Sequence, residues 1–154
     1  MKVYLAGPLF TQSQRDWLRK LKNDLEILTA SRNCPVNVIW PYELITPAEI
    51  DSLGKQARQE IFSRCKSHLD DADVLIALLD GPQVDDGTAW EIGYFYAKRG
   101  PGQNIMGIRT DFRQAGESEG AVVNAMIEMA CDRVVRSGEA LLESWAEWFR
   151  GISA

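Results

Sequence analysis

Residues 74–98, VLIALLDGPQVDDGTAWEIGYFYAK, decide how the rest of the chain is read. Val74 to Leu79 is an unbroken apolar run, the pattern of a strand buried on both faces. A turn at Gly81-Pro82, the adjacent acids Asp85 and Asp86, and a helical pattern over 87–99 follow it. Either acid can cap that helix, because a short carboxylate accepts the orphan N–H groups of the first turn. Glu91 then falls about one turn inside a helix that starts where a buried strand ends. Ligands of open α/β sheets bind beyond the carboxyl ends of the strands, so Glu91 is a candidate for chemistry. Trp90, Ile92, Phe95 and Tyr96 surround it with bulky side chains. A carboxylate in that company is either a misplaced surface residue or a functional one. For Asp86 the plain reading is a cap that complements the helix dipole, at about 0.3–1 kcal/mol.

Strands and helices alternate on both sides of this unit. Val3 to Ala6 reads as a first strand ended by Gly7-Pro8, and Val36 to Trp40 as a second, framed by Pro35 and Pro41. Between them Thr11 or Ser13 can cap a helix that carries Trp17, Leu18, Leu21, Leu25 and Leu28 at helical spacing. Thr46-Pro47 opens a helical region running to Leu69, with Gly54 able to divide it. Asn104 to Ile108 is a fourth strand, 109–120 a polar loop of the kind that often covers a site, and Ala121 to Ala130 a helix. Arg133 to Val135 makes a last short strand and Glu139 to Arg150 a terminal amphipathic helix. The order predicts a single α/β domain over residues 1–154, a doubly wound five-stranded parallel sheet.

At 154 residues the chain can bury about 70% of its unfolded surface in one core. A net charge of −5 lacks the basic face that nucleic-acid binding needs. The cysteines, Cys34, Cys65 and Cys131, are odd in number and widely spaced, which fits reduced thiols in a cytoplasm and no zinc site. No segment reaches the ~20 apolar residues that a membrane span needs. Neither GxGxxG after the first strand nor GxxxxGK[ST] is present, so a dinucleotide or P-loop cradle is missing. The single histidine, His68, has no GxSxG partner motif and reads as a surface or core residue. A phosphoacceptor receiver would want an acidic pair after the first strand, where Gly7-Pro8 stands. What remains is carboxylate chemistry at strand ends, with Asp85, Glu91 and Tyr4, suited to cleaving a glycosidic bond through a covalent sugar ester.

The segments YLAGPLF, DADVLIALLDG, DDGTAWEIGYFYA and NAMI together resemble the nucleoside 2-deoxyribosyltransferase family, from Tyr4 to about the last helix. The DxGTAxEIG block is the most specific of them. The resemblance implies a flavodoxin-like fold and exchange of the base of a 2'-deoxynucleoside for a free nucleobase, with no metal or cofactor. It makes Glu91 the nucleophile, Tyr4 the hydroxyl that orients it, and Asp85 a group that holds the sugar or passes a proton. The helix N-terminus would favour an ionised Glu91. Asn124 would reach the 5'-hydroxyl from a neighbouring subunit of a homo-oligomer, with Gly7 and Met126 among the substrate contacts. Many members carry an aspartate where Cys65 stands here, which leaves the acid for the departing base to Asp85 or to Asp111.

Tyr4 and Asn124 also have purely structural readings, as a packed strand residue and a helix cap. Two other functions share the scaffold: a 2'-deoxynucleoside 5'-monophosphate N-glycosidase and a non-catalytic nucleotide-binding module. Asn124 suits a neutral 5'-hydroxyl better than a phosphate, although Arg109 and Arg113 could swing in from the loop. Positions 42–60 and 109–120 would decide base preference.

Overall fold

The computed structural model describes residues 1–32 and 35–152, so Cys34 lies outside the described residues, while Cys65 and Cys131 are free thiols. Its strands are β1 (Lys2–Ala6), β2 (Asn37–Ile39), β3 (Val74–Leu78), β4 (Asn104–Ile108) and β5 (Arg133–Val135). All pair in parallel, in the order β2-β1-β3-β4-β5. That is the flavodoxin-like order, with its reversal between β1 and β3. Side chains alternate across the strands and divide the core in two. Val3, Leu5, Val74 and Ile76 pack on one face under α1 (Gln12–Ala30) and α6 (Gly138–Ile152). Tyr4, Ala6, Leu75 and Ala77 pack on the other, under α3 (Ala57–Asp70) and α4 (Asp86–Lys98).

Local chemistry accounts for the helix boundaries. Thr11 starts α1 with a capping box: its side chain takes the Gln14 N–H and Gln14 takes the Thr11 N–H. Thr46 does the same with Glu49 at the head of α2 (Pro47–Leu53). Gly54, at φ 51°, then breaks the helical region, and a 3-10 turn leads into α3. Among the described residues no helix is long and apolar enough to cross a membrane.

One helix is much shorter than its sequence suggests. Ala121–Ala130 reduces to α5 (Ala125–Glu128), capped by Asn124. The Glu128 carboxylate takes the Val122 and Val123 N–H groups, so those residues are held in a turn instead of a helical ladder. Gly120 just before them has φ 80°, a left-handed conformation that starts the turn.

Gly107, in the middle of β4, shows how tightly the second face is packed. A Cβ there would lie 2.8 Å from Leu79 Cδ1 and 3.2 Å from Cys131 Sγ and Val134 Cγ2. Gly107→Ala is therefore expected to destabilise the fold by about 1–3 kcal/mol. A urea titration should show a lower midpoint with the slope unchanged, and an unmoved midpoint would mean that Leu79 simply turns aside.

Candidate active site

Tyr4 sits at the sheet's reversal point, in register with Ile39 of β2 and Leu75 of β3. Its ring is fully buried and its hydroxyl donates to Glu91 Oε1 at 2.6 Å. The ring of Tyr4 is thus part of the core while its hydroxyl reaches Glu91. Glu91 reaches this point because α4 starts where it does. Asp85 is the N-cap, its Oδ2 accepting the Thr88 N–H at 3.0 Å and the Thr88 hydroxyl at 3.1 Å. Asp86 is exposed and accepts the adjacent Gly87 N–H. Further along, Asp70 at the end of α3 accepts from the Tyr94 hydroxyl, Lys66 and Lys98, which pins α4 against α3. Trp90 stacks on Tyr94 at 5.0 Å, so the residue beside Glu91 is held by the same cluster.

Burial dominates the electrostatics. It pushes the Glu91 carboxyl up to about 7; the Asp85 charge adds to the rise and the Tyr4 hydrogen bond opposes it. The helix N-terminus does not keep this group at an ordinary carboxylate value. The Tyr4 phenol is raised by burial first, then by Glu91 and Cys65, and remains a donor.

Glu91 faces a cavity of about 690 Å³. Gly7, Leu9 and Phe10 line it from the β1 turn, and Pro41 to Glu43, Ile45 to Pro47 and Ile50 from the segment after β2. Ile61 and Cys65 come from α3, and Asp85, Gly87 and Thr88 from the start of α4. A second cavity of about 440 Å³ lies between α3 and α4. It shares Ile61, Cys65, Gly87 and Glu91 with the first and adds Arg58, Phe62 and Trp90. The fold therefore brings together Tyr4, Gly7, Cys65, Asp85 and Glu91. Phe10 and Tyr42 are also on the wall, single aromatics beside turns that no periodicity singled out.

Other expected residues lie elsewhere. Asp111 accepts from the Gly81 N–H at 2.7 Å and from Arg109 Nε at 3.0 Å, and pairs with Arg113. Those partners hold its carboxyl down at about 2, so it carries no proton to give near neutral pH. Arg109 is fully buried and donates to the Leu79 and Gly81 carbonyls, which leaves it no freedom to swing towards a ligand. With Asp80 accepting the Thr110 N–H, these residues stitch together the segments that leave β3 and β4. Residues 109–120 contribute nothing to the walls of the Glu91 cavity. Asn124 is an exposed N-cap that accepts the Met126 N–H and donates to Glu117. It borders a separate cavity of about 310 Å³ with Val84, Asp86 and Arg109. Met126 is 82% exposed. His68 lines neither of the two cavities that Glu91 borders. Among the described residues no group of three or more His, Cys, Asp or Glu side chains could hold a metal ion.

The sequence profile of the nucleoside 2-deoxyribosyltransferase family matches residues 3–126, from β1 into α5. The chain belongs to that family. An uncharacterized protein of Ureaplasma parvum serovar 3 is 33% identical over 120 residues, 73% of this chain and 72% of that protein. A conserved protein of Enterococcus faecalis V583 superposes with a TM-score of 0.71 at 28% identity, covering 93% of this chain and 95% of that one. The 2-deoxyribosyltransferase of Bacillus psychrosaccharolyticus shares the fold, with a TM-score of 0.72 at 24% identity over 92% of this chain and 90% of that one.

In this family member the buried carboxylate has a consequence for stability. Its raised pKa means that Glu91's contribution is fully present below about 4.5 and is lost as pH rises through about 7. Glu91→Gln removes the buried charge and keeps the shape. It is expected to stabilise the fold by roughly 1–3 kcal/mol above pH 7, with the gain vanishing at pH 4. Thermal denaturation of both proteins across that range measures it, and a pH-independent difference would show that Glu91 is not desolvated.

Proposed function

We propose that this protein transfers the 2-deoxyribosyl group between nucleobases through a covalent ester on Glu91. The observation that carries the proposal is the 2.6 Å hydrogen bond from the buried Tyr4 hydroxyl to Glu91 Oε1, at the border of the 690 Å³ cavity. It fixes one carboxylate oxygen, while Oε2 makes no hydrogen bond among the described residues and is the attacking atom. In the first half-reaction Oε2 bonds to C1' as the C1'–N bond breaks and the base leaves. A second base then attacks C1' and releases the carboxylate. Splitting the exchange lowers each barrier, and orienting the nucleophile removes part of its entropy requirement. Asp85, on the same wall, holds the sugar; Gly7 lines that wall too, where a Cβ would press on the buried Leu18 and Leu78 at 3.1 Å. Asn124 and Met126 are exposed and away from this cavity in their own chain, so they act from a second copy in a homo-oligomer.

One observation favours a hydrolase acting on the 5'-monophosphate. Arg58, on the wall of the smaller cavity that shares Glu91, forms no ion pair or hydrogen bond among the described residues and could face a phosphate. Among the described residues the larger cavity has no Lys or Arg on its wall, which favours the neutral nucleoside.

Ping-pong kinetics and labelling of Glu91 by a 2'-fluorinated arabinosyl donor are expected, with Glu91→Ala at least roughly a thousandfold slower. Near-normal turnover in that variant would sink the assignment. Tyr4→Phe keeps the packing and loses the hydrogen bond, so kcat should fall about ten- to a hundredfold with KM little changed. A preference for the monophosphate by kcat/KM, abolished in Arg58→Ala and indifferent to added base, would hand the reading to the hydrolase.

A further inference from the structure

Cleaving the C1'–N bond of a neutral nucleoside requires a proton for the departing base, and the transfer reading above leaves its source open. Most polar groups on the wall of the larger cavity are committed elsewhere. Asp85 Oδ2 takes the Thr88 N–H and hydroxyl while the group is assigned above to the sugar, and Glu43 pairs with Lys22. The Thr46 hydroxyl donates to Glu49 at 2.9 Å. Tyr42 is exposed and packs on Trp40, where solvent competes for its hydroxyl. Cys65 differs from all of these. It projects from α3 onto the wall of both cavities that Glu91 borders, and it lies beside the Tyr4 hydroxyl.

We propose that the Cys65 thiol is the acid that protonates the departing nucleobase. In the first half-reaction Glu91 Oε2 bonds to C1', the C1'–N electron pair goes to the base nitrogen, and the Sγ proton moves to the base. The products are a neutral ester, a neutral base and a thiolate, so the negative charge passes from Glu91 to Cys65. In the second half-reaction the thiolate takes the proton of the incoming base as that base attacks C1' and the carboxylate is released. Tyr4 lies beside both groups and can turn its O–H from Glu91 to Sγ as the charge moves. Burial raises the thiol pKa, which keeps it protonated at neutral pH until the base needs the proton.

The test uses paired donors, a purine 2'-deoxynucleoside and its N7-methylated cation. The methylated base leaves as a neutral species without a proton. Cys65→Ser keeps the size of the side chain and removes a usable acid. The ratio of methylated to unmethylated donor rates, corrected for spontaneous depurination, is expected to widen by roughly a hundredfold in Cys65→Ser. Cys65→Asp should narrow it again and shift the alkaline limb of the pH profile. Equal losses on both donors, or no loss on either, would overturn the proposal and assign Cys65 to packing alone. Labelling of Glu91 by the fluorinated donor separates the two readings. If labelling persists while the ratio does not move, only the Cys65 proposal fails. If the unaltered protein is neither labelled nor active, both fail.

Discussion

The hydrogen bond from Tyr4 to Glu91 ties the two halves of the fold to one chemical point. Tyr4 belongs to β1, the strand at which the strand order of the sheet reverses, and Glu91 to the helix that follows β3. Neither position tolerates much movement: a shift of one residue in β1 would turn Tyr4 to the opposite face of the sheet. A partly buried carboxylate is also unfavourable unless something answers it, and the phenol is its only hydrogen-bond partner among the described residues. The surrounding structure therefore has to hold α4 and β1 in fixed relation against that electrostatic cost. It does so at both ends of the helix: Asp85 closes the N-terminus on Thr88, and Asp70 clasps Tyr94 and Lys98 nearer the C-terminus.

What the sequence makes legible follows from the range of each interaction. The strands, α1, α3 and α4 rest on local periodicity and capping, and these appear at the expected places with boundaries moved by a residue or two. The pairing of Tyr4 with Glu91 is non-local, 87 residues apart. It could be anticipated only because the family resemblance carries information that periodicity lacks. The helix 121–130 is misjudged for a reason that lies in one side chain. Glu128 folds back on Val122 and Val123, a competition between side chain and backbone that propensity does not reveal. Asp111 and Arg109 are misread in the same way. A polar, glycine-containing loop looks free in sequence, yet its charged residues hold the ends of β3 and β4 together.

The distinction between committed and uncommitted groups also separates chemistry from architecture in this protein. Asp80, Asp85, Asp70, Arg109 and Asp111 all sit near the carboxyl ends of strands or the ends of α3 and α4, and each is satisfied by backbone or by an opposite charge. Their contacts hold the shape of the loops that leave β3 and β4 and of the ends of α3 and α4. Glu91, Tyr4 and Cys65 form the complementary set. The Tyr4 hydroxyl donates to Glu91 and lies beside Cys65, and burial raises the pKa of all three, so each sits nearer its protonated form than it would in water. Under the transfer proposed above, the negative charge would pass between Glu91 and Cys65 while Tyr4 stays a donor beside both, and no ion pair would have to break.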